Sequence, residues 1–282
     1  MRLNRLYREF DVRYLEMDPL ELVRRYDDPK DQEIAGFIAA ALALGKYELI
    51  RGAVTDVLSR MGPSPYAYVR TFDPAKQADD FSGFTYRFYR ARDMGLLASM
   101  MGHAVREFGG LEACFLRHDR PGDPDIGAGL SGLVRTLLSC EVRPFYEKLP
   151  ARGAGIRHFL ADPADGSTCK RLNLYLRWMV RPGPLDLGIW TSVSPSRLLI
   201  PVDTHIARLA PLLGLARRKS PDWKMASEIT ESLRRIDPND PVKYDFALCT
   251  IGKLYTCSED PEKSSCASCP LKGVCRRFLM QS

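Results

Sequence analysis

The stretch Cys257–Cys275, CSEDPEKSSCASCPLKGVC, holds four cysteines with eight, two and five residues between successive members. These four, called the C-terminal cysteines below, are Cys257, Cys266, Cys269 and Cys275. Thiolates are soft ligands, and four of them this close in sequence are typical of an iron–sulfur or zinc site. We expect a 4Fe–4S cluster, and a structural zinc ion with the same four ligands is the alternative.

The composition places few limits on function. At 282 residues the chain can form one large domain or two lobes. A net charge of +6 suits a polyanionic partner, but many proteins without one are equally basic. The N-terminal residues alternate charged with apolar side chains, and the apolar stretch 34–44 is too short to span a bilayer. We therefore expect a cytoplasmic protein with no membrane contact, in a reducing location that suits thiolates.

Helical periodicity dominates the chain, and runs of period two are few, so the sequence predicts an all-α fold. Asp28-Pro29-Lys30-Asp31 provides a capping carboxylate and a proline at the first helical position, followed by apolar residues at helical spacing over 32–44. Met225 to Ile236 shows the same spacing. Aromatic and basic residues interleave over 84–92; they could stack nucleic-acid bases, but we interpret the stretch as a helix with its aromatic face buried.

Asp203 lies in the segment Pro201-Val202-Asp203-Thr204-His205-Ile206, which leads into apolar residues at helical spacing and ends at Gly214. It is a candidate N-cap, because its carboxylate can accept backbone N–H bonds at the positive end of the helix dipole. The segment also resembles the region of the catalytic aspartate in the helix-hairpin-helix DNA glycosylases. The C-terminal cysteines resemble the iron–sulfur loop of the endonuclease III and adenine-glycosylase branch, with a longer first interval.

The stretch Asp165-Gly166-Ser167-Thr168-Cys169-Lys170 resembles the hairpin of that family, with Gly166 in the tight turn. Lys170 then falls where bifunctional members carry their nucleophilic lysine. The alternative for Lys170 is a surface contact to phosphate, and the alternative for Asp203 is a helix cap alone. The residues that we expect to contact DNA are Gly166, Thr168, Arg171, Arg217, Arg218 and Lys219.

The resemblance implies a DNA base-excision glycosylase, with or without Schiff-base lyase activity, that acts on a damaged or mispaired base flipped out of double-stranded DNA. It implies two helical lobes, residues 29–185 and residues 1–28 plus 186–282, with Lys170 and Asp203 facing a cleft between them. We expect a monomer. The alternative function is a non-catalytic helix-hairpin-helix nucleic-acid-binding protein with a structural cluster.

Three further stretches resemble an uncharacterised bacterial family within this superfamily: Lys170–Val180, Ile200–His205 and Asp240–Leu248. That resemblance brings no established activity.

Two further features of the sequence concern the cysteine site. Residues 258–265 are acidic, so they should repel phosphates rather than bind them. Cys249, in a predicted helix, is a rival for the first ligand position.

Overall fold

The structure is a computed structural model and describes residues 2–10, 13–14, 18–255, 257 and 265–279. Its first helices are α1 (Arg2–Glu9), α2 (Leu20–Val23), α3 (Pro29–Leu42), α4 (Tyr47–Arg60), α5 (Pro65–Thr71) and α6 (Pro74–Gln77). Two strands follow, β1 (Thr85–Tyr86) and β2 (Tyr89–Arg90). The remaining helices are α7 (Ala91–Phe108), α8 (Leu111–Leu116), α9 (Gly127–Leu138), α10 (Lys170–Val180), α11 (Thr204–Leu212), α12 (Trp223–Arg234), α13 (Asp245–Leu254) and α14 (Arg276–Leu279).

The described chain is mostly helical, which confirms the all-α prediction in its coarse form. Within the described ranges, the sheet consists of β1 and β2, an antiparallel hairpin that pairs Thr85 with Arg90 and Tyr86 with Tyr89. None of the described helices combines the length and the apolar character needed to cross a membrane.

The chain divides into two compact units, residues 15–165 and residues 1–14 together with 166–282. Each unit buries large side chains of its own. In the first unit they include Phe37, Phe81 and Phe115, and in the second Tyr175, Trp178, Trp190 and Tyr244. This division differs from the bounds expected from the sequence in the placement of residues 15–28 and 166–185.

Two helices that the sequence predicts are present in the structure. The Asp28 carboxylate accepts a hydrogen bond from the Lys30 N–H at 2.9 Å, and Pro29 is the first residue of α3, as predicted. The predicted amphipathic helix around Met225 is α12, whose Ile229 and Leu233 are buried. Ile236 lies beyond the end of α12 and is 40% exposed, so it does not belong to the buried face.

The prediction of a helix over residues 84–92 is wrong for residues 84–90 and holds only for Ala91 and Arg92, which begin α7. Residues 85–90 form the β1–β2 hairpin, in which Tyr86 and Tyr89 are buried while Phe88, at the turn, is 58% exposed. Arg87 adopts a left-handed conformation with φ of +55°. Alternate side chains of a strand point to opposite faces, so the interleaving of aromatic and basic residues fits a strand as well as a helix.

Candidate active site

Asp203 caps α11 as the sequence predicts. One carboxylate oxygen, Oδ1, accepts hydrogen bonds from the backbone N–H groups of His205 (2.9 Å) and Ile206 (2.7 Å). The other oxygen, Oδ2, accepts a hydrogen bond from the Sγ of Cys249 at 3.1 Å. The side chain is half-buried. Both oxygens therefore have protein partners, and the orientation of the carboxylate is fixed from two sides.

Lys170 is the first residue of α10 and follows a tight, hydrogen-bonded turn. Gly166 has a φ of +78°, a conformation that favours glycine, and its carbonyl accepts a hydrogen bond from the Trp223 N–H at 3.1 Å. The Thr168 carbonyl accepts one from the Asn173 side chain at 3.0 Å. Cys169, with a φ of +46°, is also left-handed and is buried. These contacts fix the backbone from which Lys170 projects.

The charge on Lys170 is disfavoured by its surroundings. Burial lowers the pKa of Lys170 below the usual value for lysine, and the negative charge of Asp203 opposes this shift without cancelling it. Asp245 acts on Lys170 in the same direction as Asp203. The beginning of α10, the beginning of α11 and one face of α13 thus bring a lysine and two carboxylates into one electrostatically coupled group.

Asp245 and Cys249 lie one turn apart on α13, so their side chains share a face of the helix. Burial raises the pKa of Asp245 from 3.8 to about 6; the nearby Arg177 guanidinium opposes this shift, and the charge of Asp203 adds to it. Burial also raises the pKa of the Cys249 thiol, and Asp203 adds to that shift too. The thiol therefore keeps its proton at neutral pH and can donate a hydrogen bond to Asp203 Oδ2.

A buried ion network, defined here as Arg177, Arg181, Asp186, Asp240 and Asp245, joins α10 to α13. Arg177 is 2% exposed and donates to Asp186 at 3.2 Å and to Asp245 at 2.5 Å. Arg181 pairs with Asp186 and makes two parallel hydrogen bonds of 2.8 Å to Asp240. The network holds the face of α10 that follows Lys170 against the face of α13 that carries Asp245.

The segment after α10 returns to pack on that helix. The Leu187 N–H donates to the Trp178 carbonyl at 2.8 Å, and the Trp190 N–H donates to the Met179 carbonyl at 2.8 Å. The Trp190 ring packs edge-on against Tyr175, with 5.5 Å between ring centroids. These contacts hold the segment 187–190 against α10.

The expected DNA-contact residues occupy two places. Gly166, Thr168 and the half-buried Arg171 lie around the first turn of α10. Arg217, Arg218 and Lys219 are exposed in the connection between α11 and α12.

Residues of that connection have hydrogen-bond and ion-pair partners within the chain. The backbone N–H groups of Arg217 and Arg218 donate to Glu228, and the Arg218 guanidinium pairs with Asp222. Asp222 also caps α12 through the Met225 N–H at 2.8 Å. The positive charge of Arg218 is therefore partly balanced within the chain, whereas its exposure keeps it accessible to a phosphate.

The four C-terminal cysteines line one pocket, together with Leu209, Tyr255 and Arg277. Burial raises the pKa of the Cys257 thiol, while the cationic Arg277 and Arg208 act to lower it. Arg208 also donates to the Cys257 carbonyl. Four thiolates bound to iron or zinc leave a net negative site, so nearby guanidinium groups fit either metal.

The positions of the four thiols in the structure do not by themselves establish a metal site. Within the described residues, no set of three or more histidine, cysteine, aspartate or glutamate side chains forms a group that could hold a metal ion. The acidic residues 258–264 lie outside the described residues. The cluster at the C-terminal cysteines thus stays a prediction, supported by a shared pocket.

Sequence reasoning missed the roles of Asp245, Cys249 and Arg177. Cys249 was considered only as a rival metal ligand, whereas the structure places its Sγ on Asp203. The spacing of four between Asp245 and Cys249 was visible, but only the fold shows that this face of α13 meets Lys170 and Asp203.

The raised pKa of Asp245 predicts a characteristic pH dependence of stability. An acid whose pKa rises on folding stabilises the folded state while it is protonated, and this contribution is lost as the pH rises through its folded pKa of about 6. We expect the free energy of unfolding of the wild type, relative to Asp245→Asn, to fall between about pH 4 and about pH 7. Urea unfolding, monitored by circular dichroism at each pH, measures this difference in the free energy of unfolding.

Asp222 provides a control with the opposite sign. The hydrogen bond from Arg218 is the main cause that lowers the pKa of Asp222. The stability that Asp222 contributes is therefore present above its unfolded pKa and is lost as the pH falls through its folded pKa. A relative stability that rises through pH 6 for Asp245 as well would show that its pairing with Arg177 outweighs its burial.

Comparison with known proteins gives a family but no activity. A sequence model of the family described as "Protein of unknown function (DUF2400)" matches residues 18–254, a range that includes Lys170, Asp203 and Asp245 and ends before Cys257. No curated protein matches the chain. Because the match covers most of its length, the chain belongs to this family of unknown function, DUF2400.

Proposed function

We propose that the protein is a DNA base-excision glycosylase with Schiff-base lyase activity, acting on a damaged or mispaired base flipped out of the duplex. The observation that carries the proposal is the coupling of Lys170 with Asp203. These residues are 33 positions apart in the sequence, yet they lie at the starts of two helices in one electrostatic group, and the pKa of the lysine is lowered. A depressed amine pKa beside a fixed carboxylate is typical of a catalytic site.

Asp203 suits the electrostatic part of this reaction. Cleavage of an N-glycosidic bond develops positive charge on the sugar, and a preorganised carboxylate stabilises that charge. The two N–H bonds to Oδ1 hold the Asp203 carboxylate in place before substrate binds. No reorganisation of the group is then needed as the charge develops.

Lys170 suits the covalent part. Its amine must be neutral to attack C1′ of the sugar, and burial increases the neutral fraction. Attack on the aldehyde of an abasic site forms a C–N bond and releases water to give a Schiff base. Loss of a C2′ proton then expels the 3′ phosphate by β-elimination, which nicks the strand. Asp203 or Asp245 would accept the protons that the amine releases.

The proposal includes the architecture and the cofactor of the resembled family: two helical lobes of the glycosylase type and a 4Fe–4S cluster held by the C-terminal cysteines. Such a cluster would cross-link the end of the chain. Double-stranded DNA would contact Gly166, Thr168 and Arg171 around the first turn of α10. It would also contact the exposed basic residues Arg217, Arg218 and Lys219.

The second candidate is a non-catalytic nucleic-acid-binding protein. The observation that favours it is that both oxygens of Asp203 already have partners within the chain, as a purely structural cap would. In that case Lys170 would contact phosphate, and the site would bind DNA without changing it.

Substitution of the two residues separates these candidates. We expect Asp203→Asn, which keeps a good N-cap, to slow base release by about 100- to 1,000-fold. Lys170→Ala should abolish strand nicking. DNA affinity should change little in either variant. The assay uses duplexes containing uracil, 8-oxoguanine, an oxidised pyrimidine or a mispaired adenine, with Lys224→Ala, an exposed lysine on α12, as the control. Variants that alter binding alone would support the second candidate.

The cofactor prediction has its own test. Anaerobically purified protein should be brown and contain about four iron atoms per chain, and Cys269→Ser should lose both. Cys140→Ser, which changes a cysteine outside the C-terminal set, should keep them. Colourless protein with one zinc ion per chain would favour zinc, and protein with neither metal would contradict the site.

A further inference from the structure

We propose that Cys249 is a positioning residue of the candidate active site, whose thiol donates to Asp203 Oδ2 and fixes the carboxylate without neutralising it. The inference rests on the proposed function. The Sγ–Oδ2 distance of 3.1 Å is the geometric basis.

The two oxygens of Asp203 have different kinds of donor. Oδ1 accepts two hydrogen bonds from backbone N–H groups at the start of α11, and Oδ2 accepts one from the thiol of Cys249 on α13. Rotation of the carboxylate would break both sets of contacts at once. Asp203 is therefore held by two separate helices, and Cys249 supplies the one side-chain donor among these three bonds.

The direction of the thiol bond follows from charge. A thiolate beside the Asp203 carboxylate would be repelled, and burial already favours the neutral thiol, so the proton stays on sulfur. An S–H group is a weak donor compared with O–H or N–H. It can orient Oδ2 while withdrawing little of the negative charge that a cationic sugar requires. Arginine or lysine at this position would neutralise that charge.

Packing sets the position of the sulfur. Asp245, one turn before Cys249, is anchored to Arg177 of α10. On the other side of Cys249, Gly252 allows α13 to approach the start of α11 closely: a Cβ at this position would lie 2.7 Å from the Cβ of His205. α13 is therefore held at both ends of the turn that presents the thiol.

Alkylation tests the bond without any enzyme assay. We expect Cys249 to react slowly with iodoacetamide in the wild type, because little of it is thiolate. In Asp203→Asn the loss of the neighbouring negative charge should lower the pKa of the Cys249 thiol and so increase its alkylation rate by about tenfold. Mass spectrometry of the peptide that contains Cys249 measures the rate. Cys140, in the other compact unit, should keep its rate and serves as the control.

Activity tests the purpose of the bond. Cys249→Ser keeps a donor and should retain base release within a few-fold of the wild type, whereas Cys249→Ala should lower kcat by about tenfold with KM unchanged. Equal effects of serine and alanine, or an effect on KM alone, would overturn the positioning role.

The two experiments separate the possible failures. An unchanged alkylation rate in Asp203→Asn overturns the bond and leaves the proposed function standing. A wild-type protein that releases no base from any duplex overturns the proposed function and, with it, the catalytic purpose of Cys249, even if the alkylation rate responds.

Discussion

The buried ion network between α10 and α13 is the constraint on which the candidate site depends. Arg177 bridges Asp186 and Asp245, and Arg181 bridges Asp186 and Asp240, so neither guanidinium can lose a partner without leaving a charge buried. Breaking a buried pair in this way typically costs about 3–5 kcal/mol, a large part of the stability of a domain. The network therefore fixes the register of the two helices, and the positions of Lys170 and Cys249 follow from it.

Burial gives the site its chemical character by acting in opposite directions on its two kinds of group. It lowers the pKa of Lys170 and raises the pKa of Asp245 to about 6, so both groups move toward their neutral forms. A carboxyl group with a pKa of about 6 exchanges protons readily close to neutral pH. Backbone N–H groups hold the Asp203 carboxylate, which suits the stabilisation of positive charge on the sugar in the proposed reaction.

The parts of this site that the sequence could predict are the local ones. The Asp203 cap depends on residues two and three positions ahead, and the Asp28–Pro29 start of α3 is equally local, so both are visible in a short window. The hairpin at residues 85–90 was mistaken for a helix because its aromatic residues fit both periods. The bond between Asp203 and Cys249 spans 46 positions and depends on how α11 packs on α13, which no local pattern specifies.

Borohydride trapping on a duplex with an abasic site tests whether Lys170 forms a Schiff base with the sugar, because reduction turns a Schiff base into a stable covalent bond. We expect an adduct with the wild type and with Lys224→Ala, none with Lys170→Ala, and attachment to the peptide that contains Lys170. An adduct that persists in Lys170→Ala would contradict the assignment of the amine. No adduct with the wild type would contradict the lyase step and leave, at most, base release through Asp203.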